Sequence, residues 1–249
     1  VRLGSGHGGA RSMHMGAATM ILAVEEVIGK AKGVAAVLLQ AEIDELSFKN
    51  GSFTSGSGNR SVTLKEVAIA ARDDRIAPHL EGTGLDTFTK RENAPFTFPN
   101  GCHAAEVEID PETGSVTLIR YIMFDDYGSL VNPVLTEGQL HGGVAQGLGQ
   151  ALMECVAFAE NPGQVLSGSR REATRPRAAM LPNFEAMLEG APTKANVLGV
   201  KGVGQAGCIA APQTIVHAVL NALSPLKIIH LDMPLTSQSI WRAISASRA

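Results

Sequence analysis

Three short segments of this 249-residue chain crowd glycine just before or inside a helical pattern: "GSGHGGARSM" (residues 4–13), "HGGVAQGLGQ" (141–150) and "KGVGQAG" (201–207). Glycine lets a backbone take positive φ and lets another main chain, or a ligand, touch it directly. Free N–H groups at a helix start also favour an anion. Any one of these segments fits a tight turn or a close helix contact. Three in one chain point to a shared ligand with many polar edges and a negative tail. The first segment is not the phosphate loop of a nucleotide hydrolase, because it lacks the Gly-Lys-Ser/Thr ending and no strand pattern precedes it. The missing strand excludes the dinucleotide fingerprint as well.

The remaining patterns define the elements. Apolar residues Met20, Val24, Val27, Ile28, Ala31, Ala35 and Leu38 follow helical spacing, with Gly29 and Gly33 as points where that helix breaks. "ELSFKNGSFTSG" reads as a hairpin turning at Asn50-Gly51. Thr63 and Glu66 form a capping box before "LKEVAIAAR". Residues 73–100 read mostly as loop. "CHAAEVEIDPETGSVTLIRYIMF" is the clearest hairpin, with Val107 and Ile109 alternating with charge and residues 111–114 as its turn. A loop, "DDYGSLVNP", leads into a long glycine-dotted helix over residues 135–159. Residues 160–177 read as exposed. Pro212 suits a first helical position, with Ile215, Val216, Val219, Leu220 and Leu223 on the buried face. Thr236 caps a last helix burying Ile240, Trp241 and Ile244. Helices mixed with antiparallel hairpins, without regular alternation, give an α+β fold.

With 45% hydrophobic residues the chain can bury one large core or two small ones; we expect a single region with two subdomains, about 1–100 and 101–249. The net charge of -3 argues against a nucleic-acid binder. Arg170, Arg171, Arg175 and Arg177 form the one basic cluster, read as solvated surface or a partner contact. Cys102, Cys155 and Cys208 lie far apart, which suits neither a disulfide framework nor a zinc site and points to a reducing, cytoplasmic setting. Apolar runs such as "VAAVLL" are too short to cross a bilayer, so no membrane role is expected. A glycine-rich segment almost at residue one suggests part of a larger polypeptide or of a split assembly.

A pterin carrying phosphate would suit the three glycine segments. "DDYGSLVNPVLTEGQLHGGVAQGLGQALME" resembles a stretch of the large, molybdenum-binding subunit of the xanthine oxidase family, and "LGVKGVGQAGCIAAPQTIVHAVLNAL" resembles its C-terminal active-site segment. "GSGHGGARSM" is similar to its cofactor loop and "HLDMPLTSQSIWRAI" to its ending. The likeness keeps its order over nearly the whole chain but covers only the C-terminal part of that subunit. It implies a molybdenum–molybdopterin cofactor, in bacteria often the cytosine dinucleotide form, and no metal ligand from a side chain. It implies partners: the N-terminal half of the subunit or a split equivalent, and chains or domains carrying iron–sulfur clusters and FAD. The chain alone would then be inactive. By resemblance, Gly9, Ala10, Arg11 and Ser12 wrap the pterin and its phosphate, Gln146 hydrogen-bonds the pterin, and Lys201, Gly202, Val203 and Gly204 are backbone beside the metal.

The same resemblance implies hydroxylation of an aldehyde or N-heterocycle, with water as the oxygen source and a positioned base. Gln205 stands where the family's usual "GVGEAG" has that base, a glutamate. An amide accepts and donates hydrogen bonds but does not titrate near neutral pH, so about 10² to 10⁴ in rate is at stake. An engineered change, a natural variant served by another base, and a cofactor domain without turnover all fit. We favour the natural variant, and keep as the alternative an isolated or degenerate fragment with no turnover by itself.

Overall fold

The computed structural model describes residues 6–56, 60–73, 76, 84–91, 95–160, 163–169 and 174–248. The chain forms two compact units, one of Met15–Pro95 and one of Val1–His14 with Phe96–Ala249.

The Met15–Pro95 unit is built on helix α1 (Ala18–Leu39), which runs unbroken through Gly29 and Gly33. Each glycine costs about 1 kcal/mol against alanine in a helix, and burial of Ala31, Val34, Ala35 and Leu39 offsets this. The expected apolar face is only half right, since Met20, Val24 and Leu38 are exposed. Strands β1 (Ser47–Lys49) and β2 (Ser52–Thr54) form the expected hairpin. Asn50 and Gly51 both take positive φ, as its two-residue turn requires. A third strand, β3 (Ser61–Thr63), pairs with β2 and was not legible in the sequence. Thr63 caps α2 (Leu64–Ala70) through the full capping box with Glu66. Phe53 and Val67 fill the core between these elements.

In the other unit, β4 (Asn100–Ile109) and β5 (Val116–Asp126) form the long hairpin, and β6 (Phe184–Leu188) adds a parallel strand to β5. Arg120 pairs with Glu106 but Leu118 pairs with Val107, so Ile119 is an extra residue on β5. Such a bulge shifts the inward phase by one. Leu118 faces in on one side of it, and Tyr121, Met123 and Asp125 face in on the other. Asp125 and Asp126, expected in a loop, thereby belong to the strand.

Helix α3 (Pro133–Leu152) starts at the Asn132 cap, with Pro133 at its first position, and ends before the expected residue 159. Helix α4 (Ala206–Leu223) packs along it. Leu140, Val144, Leu148 and Leu152 meet Ala211, Ile215, Val219 and Leu223 in one core, each set at four-residue spacing. Of the glycines in residues 141–150, Gly143 and Gly147 serve this contact. A Cβ on Gly143 would lie 2.9 Å from the Cys208 nitrogen, and one on Gly207 would lie 2.7 Å from the Leu140 oxygen.

Pro212 lies inside α4 instead of opening it. Its ring sits where α3 presents Gly147, and a Cβ there would be 2.9 Å from Pro212 Cδ. Residues 206–226 are also long and apolar enough to cross a bilayer by composition, contrary to the reading of short apolar runs; here Ile215, Val219 and Leu223 are packed in the core. Helix α5 (Ser237–Ser247), capped by Thr236, buries Ile240 and Ile244 but leaves Trp241 exposed. Of the basic cluster, Arg170 and Arg171 lie outside the described residues, and Arg175 and Arg177 are exposed.

Candidate functional site

Past Asp126 the chain of β5 continues as an irregular edge that holds the third glycine segment. Gly128 bridges Val200 in antiparallel fashion. The Lys201 N–H donates to the Tyr127 carbonyl at 2.9 Å, and the Ser129 N–H donates to the Gly199 carbonyl at 2.9 Å. Asn196 closes the approach, donating through Nδ2 to the Val200 carbonyl and accepting from its N–H. The backbone of residues 201–205 is thus pinned before α4 begins.

The first glycine segment meets the third. Gly9 and Ala10 both take left-handed backbone, at φ 57° and 55°. This turn brings the Ala10 methyl against Gly202, where an added Cβ would sit only 2.8 Å away. Thr97 Oγ1 accepts from the Gly202 N–H at 3.3 Å on another side. His7 and Ser12 are linked at 2.7 Å between Nδ1 and Oγ.

Between these segments and the first turns of α3 lies a cavity of about 600 Å³. Gly9, Ala10, Ser12, Lys201, Gly202, Val203, Gly204 and Gln205 all line it. Two other candidates do not. The Arg11 guanidinium lies back toward Gly8. Gln146 is exposed on α3, seven residues past the lining residue Gln139 and so on the same helix face about 10 Å along. Tyr127, Asn132, Thr136 and Gln139 also line the cavity and were not singled out from the sequence. The Asn132-Pro133 pair is a cap signal that could have placed the α3 start there. Nothing local marks Tyr127.

Gln205 is the N-cap of α4 and holds φ 66°, an uncommon conformation for a residue with a Cβ. Its carbonyl accepts from the Ile209 N–H at 2.9 Å and so starts the helix. Its side chain makes no capping bond and is free to face the cavity.

Asp126 is the electrostatic anchor. Its carboxylate accepts from Lys201 Nζ at 2.5 Å and from the Gly128 N–H at 2.8 Å. Burial pushes the carboxyl up, but Lys201, the Gly128 N–H and the Ala191 N–H outweigh it and hold the group below its usual value. A carboxyl depressed in the folded state contributes stability that is present above the unfolded value, about 3.9, and is lost as pH falls through the folded one. Asp126→Asn should therefore lower stability at pH 7, by about 1–3 kcal/mol for hydrogen bonds to a charged group. The gap from the parent should begin to narrow below about pH 4 and close only as pH falls through the lower, folded value. Urea unfolding of the full-length subunit at pH 7 and pH 3 checks this; an equal gap at both would show that the charge is not what matters.

The molybdopterin cofactor-binding domain family model matches residues 1–182. The nicotine 6-hydroxylase large subunit of Paenarthrobacter nicotinovorans is 33% identical over 244 residues, covering 96% of this chain and 30% of the relative. The carbon monoxide dehydrogenase large chain of Hydrogenophaga pseudoflava is 29% identical over 242 residues, covering 97% and 30%. Among solved structures, a Cu,Mo-CO dehydrogenase superimposes with a TM-score of 0.86 at 28% identity, over 98% of this chain and 31% of that one. Quinoline 2-oxidoreductase from Pseudomonas putida 86 gives 0.83 at 29% identity, over 97% and 31%. The chain spans about 30% of the length of the relatives it matches.

Proposed function

Because this chain belongs to the molybdopterin cofactor-binding domain family, as part of the molybdenum-binding large subunit of the xanthine oxidase family, we propose that its cavity holds the pterin for water-dependent hydroxylation of an N-heterocycle or an aldehyde. One observation carries the reading. Two glycine segments nearly two hundred residues apart close on each other so tightly that no side chain fits at Gly202. The residues present also fit a ligand with many polar edges, since Ser12, Gln139 and Gln205 line the cavity beside residues 201–204.

When bound, the cofactor supplies two-electron redox chemistry at its metal. The chain's own residues bind and orient. The turn at Gly9 and Ala10 offers main chain to the ligand, and Arg11 suits a phosphate as a fixed fork of donors. An extended cofactor, the cytosine dinucleotide form, would give Gln146 its role along α3. Gln205 can hold a water or substrate through its amide but cannot take its proton. The names of two relatives, a nicotine hydroxylase and a quinoline oxidoreductase, favour an N-heterocycle. Electrons would pass to iron–sulfur and flavin partners, in a cytoplasmic assembly consistent with three unpaired cysteines. The fragment reading draws on Gln205 alone and is not favoured.

The test is the full-length subunit isolated with its partners. We expect molybdenum and pterin in near-stoichiometric amount, and ¹⁸O from labelled water in the hydroxylated product. An assembly devoid of both molybdenum and pterin would overturn the reading.

A further inference from the structure

The segment Phe96-Thr97-Phe98, just ahead of β4, is folded inside out. Thr97, its polar residue, is buried at 9% exposure, while Phe96 and Phe98 stand 81% and 73% exposed with their rings 5.8 Å apart. A buried polar side chain between exposed large apolar ones is the informative departure from ordinary partitioning. Hydrophobic burial does not hold this arrangement in place. Phe98 also takes left-handed backbone, at φ 42°, which is an outlier for a bulky side chain. Such strain persists only where the surrounding structure imposes it, and it gathers at functional sites.

What the segment achieves is the aim of one hydroxyl. Thr97 Oγ1 accepts from the Gly202 N–H at 3.3 Å, across 105 residues of chain. The Ala10 methyl closes on the same glycine, and Ala10 is likewise left-handed at φ 55°. Three successive N–H groups at the approach to the cavity are therefore tied. That of Val200 donates to the Asn196 side chain, that of Lys201 to the Tyr127 carbonyl and that of Gly202 to Thr97. The tie at Gly202 adjoins Val203, Gly204 and Gln205, which line the cavity.

We infer that Thr97 is a positioning residue of this site: its hydroxyl holds the Gly202 main chain and so sets where residues 203–205 face the bound cofactor and substrate. The inference rests on the reading of the cavity as the pterin site. Thr97 is not among the residues lining the cavity, so it acts through Gly202. A misplacement of about 1 Å in such a site can cost about 10² in rate.

The test compares Thr97→Val, which keeps the shape and loses the hydroxyl, with Thr97→Ser, which keeps the hydroxyl, in the full-length subunit. Amide hydrogen exchange is read on the cofactor-free subunit, and kcat and KM on assemblies of equal molybdenum content. We expect Thr97→Val to speed exchange at Gly202 about tenfold, the loss of one hydrogen bond. It should lower kcat more than it raises KM, and Thr97→Ser should restore both readouts. An unprotected Gly202 amide in the parent overturns the inference, whether or not the valine variant folds. A loaded Thr97→Val enzyme with a lower melting temperature but parental kcat and KM also overturns it, by leaving Thr97 a structural role alone. A parent assembly devoid of molybdenum and pterin removes the proposed function and this role together, and is told apart because exchange at Gly202 is measured without cofactor.

Discussion

Gln205→Glu in the assembled enzyme is expected to raise turnover by about 10² to 10⁴, the usual contribution of a positioned base. The exchange is close to isosteric, and the backbone already holds the unusual φ of 66° that aims this residue. The Gln205 carbonyl, which starts α4 through Ile209, is untouched. A carboxylate at the start of an 18-residue helix is also favoured by the helix dipole, by about 0.3–1 kcal/mol. Stability should therefore hold or rise while the rate rises. The readouts are kcat on an N-heterocycle or aldehyde substrate and the melting temperature, measured on parent and variant with equal molybdenum content. Unchanged kcat would place the base on another group.

A second large effect is expected at the α3–α4 contact, and its sign depends on which glycine is changed. Gly207→Val places a branched side chain where a single Cβ would already lie 2.7 Å from the Leu140 oxygen and 3.1 Å from the Val144 nitrogen. Both are main-chain atoms of a helix, so they cannot swing aside. The cost should reach the upper end of the about 1–3 kcal/mol typical of overpacking. Because residues 201–205 run directly into α4, cofactor content should fall with it. Gly142→Ala, on the same α3, should do the opposite. Nothing lies within 4 Å of its Cβ position, and removing glycine from a helix interior gains about 0.5–1 kcal/mol. Urea midpoints of the two variants against the parent check both signs. A neutral Gly207→Val would mean that the helices are not packed this closely.

The site was partly legible in the chain. The first and third glycine segments do converge, and eight of the expected site residues line one cavity: Gly9, Ala10, Ser12, Lys201, Gly202, Val203, Gly204 and Gln205. The second segment shows the same composition for a different reason. Gly143 and Gly147 face another helix rather than a ligand. Composition records that something comes close, but not what. Gln146 and Arg11 stand outside the cavity lining, and Tyr127, inside it, had no local mark.

What the sequence by itself determined is whatever depends on neighbours a few residues away. The Asn50-Gly51 turn, the Thr63–Glu66 capping box, the Thr236 cap and the burial of Ile215, Val219 and Leu223 on α4 all formed as read, while Val216 and Leu220 are only partly buried. Their energies are local, so the residues carry them wherever they are placed. What only the tertiary structure decided is the phase of β5. The extra residue at Ile119 shows itself solely against β4, and it turns Tyr121, Asp125 and Tyr127 inward. A strand's side chains alternate with a period of two, so a slip of one residue exchanges its faces. That slip is set by the partner strand, and it is what brings Tyr127 to the wall of the cavity.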